Sequence, residues 1–81
     1  MEKEEIIYLL KESLEEIIPE IEGEDYSIHE TLNNLGANSI DKGELITLTL
    51  EHLEIEASMV MFVKAESIAE LADLILQHVN E

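Results

Sequence analysis

Ile6, Ile7, Leu10, Leu14, Ile17, Ile18 and Ile21 recur at helical spacing, with Glu and Lys filling the other face. The pattern predicts an amphipathic helix from near Glu2 to Ile18, stopped by Pro19, whose ring disfavours helical geometry in the residue before it. A second helix is expected from about Ser39 to Leu53. Ile46, Thr49, Leu50 and Leu53 share its inner stripe, flanked by Leu45. The opposite stripe carries Ile40, Glu44, Thr47, Leu48 and Glu51, with Asp41 beside it. Ser67 and Glu70 fit a capping box, serine at the N-cap and glutamate at the third helical position. Ile68, Leu71, Ala72, Ile75 and Val79 then give a third amphipathic helix. Between the second and third helices, the apolar run from Ala57 to Val63 predicts a short helix of one or two turns. The expected fold is all-α, a small bundle of three main helices plus one short helix.

The connection from Pro19 to Asn38 is long for a chain of 81 residues, with Gly23 and Gly36 as punctuation and Leu32 and Leu35 as its expected anchors. A loop of this length in so small a fold is usually functional or pinned by its own side chains. One domain is expected to span residues 1–81, since too little chain remains for a second core.

Charge and composition exclude several classes of function. Twenty acidic residues face four basic ones, a formal net charge of −16, so there is no basic patch to displace counterions from nucleic acid. An anionic membrane surface is disfavoured for the same reason. Basic partners are favoured, and strong like charge argues for a monomer. No apolar stretch approaches the roughly 20 residues a membrane helix needs. The acidic Met1–Glu5 stretch lacks the positive region of a signal peptide, so a cytoplasmic protein is expected.

No cysteine is present, which excludes disulfides and cysteine–zinc sites. His29, His52 and His78 are too scattered to suggest a metal site, and the acidic runs lack the alternating oxygen ligands of an EF-hand loop. No nucleophile–base pair stands out, so no catalytic residue is assigned and an enzyme is not expected. Met59, Met61 and Phe62 read as core, or as the edge of an acyl-chain pocket.

One segment carries chemistry. In Leu35-Gly36-Ala37-Asn38-Ser39-Ile40-Asp41, a glycine turn leads into an acidic helix with Asn38, a good N-cap residue, just before Ser39. Helix N-termini present unpaired N–H donors and partial positive charge, which suits a phosphate. From spacing alone, Ser39 also fits a helix-start serine with no further role.

The segment resembles the attachment motif of acyl carrier proteins, a Leu-Gly-x-Asp-Ser-Leu-Asp pattern followed by a Glu-Leu pair, here Glu44-Leu45. The likeness extends over almost the whole chain, and its form is most similar to freestanding carriers that serve β-branching cassettes of polyketide pathways. The resemblance implies 4'-phosphopantetheine, taken from coenzyme A, on Ser39. It implies a carrier of acyl thioesters in polyketide or fatty acid biosynthesis. Implied partners are a phosphopantetheinyl transferase, an acyltransferase, and a ketosynthase or hydroxymethylglutaryl-synthase-like enzyme. By position, Asp41, Glu44 and Glu51 match the family's docking carboxylates, and Leu48 lies on their stripe. Asn38 departs from the usual aspartate, Ile40 from the usual leucine, and Gly43 from a larger apolar residue. A solvated helix face is the plain alternative for the acidic trio. For the chain as a whole, the alternative is an acidic helical protein-binding module, or a nucleic-acid mimic, without a cofactor.

Overall fold

The apolar stripe of the first helix decides how the chain closes. A computed structural model describes residues 1–80 and forms α1 over Lys3–Ile17. At its start the Glu2 backbone N–H donates to Glu5 Oε1 at 3.2 Å. Pro19 follows its last turn and opens one 3₁₀ turn, Pro19–Ile21. Ile6, Leu10 and Leu14 are fully buried. Truncating any one of them to alanine is expected to cost about 2–5 kcal/mol.

α2 covers Ser39–His52 and α3 covers Ile68–Val79. Both pack on α1, which is therefore the central element. α2 buries Leu45, Ile46, Thr49 and Leu50, while α3 buries Ile68, Ala69, Leu71, Ala72 and Ile75. Thr49 satisfies its buried hydroxyl by donating to the Leu45 carbonyl at 2.8 Å. No strand forms among the described residues; Thr31 and Ser67 make a single isolated bridge.

The short element is one 3₁₀ turn, Met59–Met61, at the lower end of the one or two turns expected. Met59, Val60 and Met61 are exposed, and the buried residue of this run is Phe62, 1% accessible. Its ring meets His78 edge-on, the centroids 6.2 Å apart. Met59 and Met61 thus lie outside the core. Gly43 explains where Met59 goes: a Cβ added there would stand 3.3 Å from the Met59 sulfur. Thr47, one turn further along α2, donates to the same sulfur at 3.9 Å.

The long connection is held from three directions. Tyr26 lies on α1, donating its hydroxyl to Glu15 Oε2 at 2.7 Å under the Lys11 ammonium, 5.1 Å from the ring centre. Burial, and then the neighbouring Glu15 carboxylate, push the Tyr26 phenol above its ordinary pKa. The Ala69 N–H donates to the Ile28 carbonyl at 3.0 Å, and the Leu32 N–H to the Glu66 carbonyl at 2.8 Å. Leu32 itself is buried.

Candidate functional site

The chain reaches α2 through a turn with two diagnostic bonds. The Ala37 N–H donates to the Leu32 carbonyl at 2.9 Å and the Gly36 N–H to the Asn33 carbonyl at 3.1 Å. This is the Schellman pattern, and it places the residue between the two arms in the left-handed region. Gly36 occupies that place at φ +104°. A Cβ there would meet only ordinary contact with Ile18, so the backbone angle, not space, calls for glycine. Ala37 and Leu32, the apolar pair that accompanies such a turn, are both buried.

Asn38 then caps α2. Its side-chain oxygen accepts from the Asp41 N–H at 2.9 Å, while its own N–H donates to Asp41 Oδ2 at 3.2 Å. The closed box satisfies two backbone donors from side chains on either side of Ser39. Ser39 is the first helical residue and is exposed, and its hydroxyl takes no part in the cap. Beside it lies a cleft of about 370 Å³, lined by Thr31, Leu32, Asn38, Ser39, Lys42 and Glu66 among others.

The remaining sequence-derived residues divide into two sets. Glu44 and Glu51 are exposed, and Leu48 between them is half-buried without joining the hydrophobic core. These three share one face of α2 at spacings of four and three. Asp41 is half-buried, with one carboxylate oxygen engaged in the cap. Ile40 is 78% accessible, and Met59, itself exposed, lies over Gly43 and Thr47. The outer face of α2 therefore combines exposed carboxylates with apolar side chains.

Two features were not foreseen from the sequence. Tyr26 fixes the long connection to α1, a contact between residues eleven apart that no local pattern signals. Lys42 lines the Ser39 cleft and donates to the Val63 carbonyl. Its signal in the sequence is that it is the lone basic side chain of α2 apart from the terminal His52.

Residues 9–75 match the family described as "phosphopantetheine attachment site". The chain belongs to that family. It is 32% identical over 80 residues to the polyketide biosynthesis acyl-carrier-protein AcpK of Bacillus subtilis (strain 168), covering 99% of this chain and 98% of that one. A chain in the crystal structure of the curacin biosynthetic pathway HMG synthase in complex with acetyl donor-ACP superposes with a TM-score of 0.87. That chain is 32% identical, with 93% of this chain and 96% of that one covered. The protein is an acyl carrier of polyketide biosynthesis, not an enzyme, and its cofactor is 4'-phosphopantetheine. The cofactor-free mimic is set aside.

The residues present fit that cofactor. A phosphodiester needs a free hydroxyl on a fixed support, nearby donors, and room for the arm to leave the surface. Ser39 stands at a capped helix start with a cleft on one side and solvent on the other. When bound, the arm supplies a terminal thiol that carries acyl groups as thioesters. The chain's own contribution there would be to hold its root. Among the described residues no helix is long and apolar enough to cross a membrane, and no group of three potential metal ligands comes together.

Proposed function

We propose that Ser39 is the attachment point of 4'-phosphopantetheine and that this carrier is the acetyl donor to a hydroxymethylglutaryl-synthase-like enzyme in a polyketide pathway. The observation that carries the first part is the closed Asn38–Asp41 box, which takes over the capping and leaves the Ser39 hydroxyl exposed at the helix start. The second part is supported by the likeness, along nearly the whole chain, to the acetyl donor bound to the curacin HMG synthase. Acetyl donation follows loading by a phosphopantetheinyl transferase and charging through an acyltransferase or ketosynthase, in the cytoplasm.

Docking uses the outer face of α2. Glu44 and Glu51 meet Arg or Lys on the partner, Leu48 and Ile40 give apolar contact, and Asp41 contributes its carboxylate oxygen outside the cap. Charged residues on such a face set encounter rate and orientation more than final affinity.

The test has two stages. Incubation with coenzyme A and a broad-specificity transferase is expected to add one phosphopantetheine to the intact mass, and Ser39→Ala is expected to add none. A gain that survives Ser39→Ala would place the arm elsewhere. The loaded chain, carrying acetyl, is then offered to a β-branching synthase together with an acetoacetyl acceptor carrier. Consumption of its acetyl group is expected. An intact acetyl group, with a known donor active in parallel, would leave a carrier of another role in the pathway.

A further inference from the structure

The chain has four lysines and no arginine, and three of the four lie away from the modification site. Lys3 pairs with Asp73 at 2.6 Å, Lys11 lies over the Tyr26 ring, and Lys64 borders a hollow with Glu70 and Asp73. The fourth, Lys42, stands three residues after Ser39 and lines the same cleft. Residues three apart on a helix are surface neighbours, about 5–6 Å between Cβ atoms. Lys42 is therefore the cation nearest in the fold to any group built on the Ser39 hydroxyl.

Two further observations bear on its role. The ammonium is held in place by donating to the Val63 carbonyl, which fixes a side chain that would otherwise be mobile. A lysine ammonium has three donors, so two remain after that bond. A phosphodiester on Ser39 would also enter an already anionic setting. The formal net charge is −16, Glu66 lines the cleft, and Asp41 stands two residues along the helix. Helix-end donors alone offset only a small part of such a charge at an exposed position.

Resting on the reading that Ser39 carries the arm, we infer that Lys42 is a positioning residue for its phosphodiester, bridging a phosphate oxygen to the Val63 carbonyl. The bridge directs the root of the arm toward the Thr31–Glu66 cleft and joins it to the Met59–Val63 segment. The exposed side chains of Met59, Val60 and Met61 thereby become sensitive to whether the arm is present.

The experiment compares apo and loaded wild-type chains, each verified by intact mass, by NMR of the four lysine ε-methylene groups and of phosphorus. Arm attachment is expected to shift Lys42 more than Lys3, Lys11 or Lys64, and the Val63 carbonyl with it. Added salt should diminish the lysine shift, because a part-exposed ion pair is screened. Loaded Lys42→Met, which keeps the apolar stem, is expected to show a displaced phosphorus resonance, and Lys42→Arg to restore it. Verified loading with Lys42 unmoved, or moved no more than Lys3, would overturn the inference and leave Ser39 attachment intact. Absence of the mass gain would overturn the attachment itself, and this inference with it.

Discussion

Two of the three helices start at a polar cap beside a serine, and the two serines have opposite fates. At α3, Ser67 is the cap. Its hydroxyl accepts from the Glu70 N–H at 3.2 Å, and it is 6% accessible. It pairs with Thr31 across an isolated bridge, with the Leu32 N–H bound to the carbonyl of Glu66 just before it. At α2 the cap falls one residue earlier, on Asn38, and Ser39 is left outside it. A shift of one position in the cap separates a structural hydroxyl from an available one. The backbone makes that shift possible: the left-handed turn at Gly36 delivers Asn38 to the helix in an extended conformation, φ −86°, ψ −175°.

The contrast breaks most visibly at Ser39. Ser39→Ala is expected to abolish loading by intact mass while changing unfolding free energy by no more than about 0.5 kcal/mol, since the hydroxyl supports nothing. A folding defect in that variant would give the hydroxyl a structural share. Reversing both Glu44 and Glu51 to lysine should lower turnover with a cognate synthase on the order of tenfold at low salt, and by less at high salt. Salt-independent turnover equal to wild type would make them bystanders.

The caps themselves give the next effects. Ser67→Ala should destabilise by about 1 kcal/mol in urea unfolding and leave the loading rate unchanged. Asn38→Ala should cost a similar amount, about 1 kcal/mol, and also slow loading, because it loosens the backbone under Ser39. Equal loading rates for the two cap variants would deny α2 its special role. Asn38→Asp is the smallest change. Both residues cap equally well, so stability should stay within about 0.5 kcal/mol. Loading by a generic transferase should rise toward that of carriers with the acid. An unchanged rate would mean that amide and carboxylate are read alike.

Much of this was legible because it is local. The ends of α1 and α2 fell within a residue of expectation, since periodicity, Pro19 and Asn38 all act over one or two turns. The start of α3 was half legible. Ser67 caps as expected, but the Glu70 carboxylate accepts from the Glu66 N–H at 2.7 Å, one residue before the box would place it. The bridge to Thr31 sets the chain's path there, and it is a contact across 36 positions of sequence. The run from Ala57 to Val63 was legible in its single turn and in Phe62, but not in its methionines. A short apolar stretch does not say which residue turns inward, and Phe62 took the core while its methionine neighbours stayed out. Lys42 went unread because its partner, Val63, is a backbone carbonyl and leaves no trace in the sequence.

The bonds from Leu32 to Glu66 and from Ala69 to Ile28 also set an order of events during synthesis. Local helices form in well under a millisecond, whereas contacts spanning more than thirty residues must wait for loop closure. As the chain leaves the ribosome, α1 and α2 emerge while the connection before Ser39 still lacks its partners from residues 66–69. The serine is thus presented on a finished scaffold only after the last third of the chain has appeared. Hydrogen exchange should report this in the mature protein: the Leu32 amide should open only when α3 does, at a rate close to that of the core.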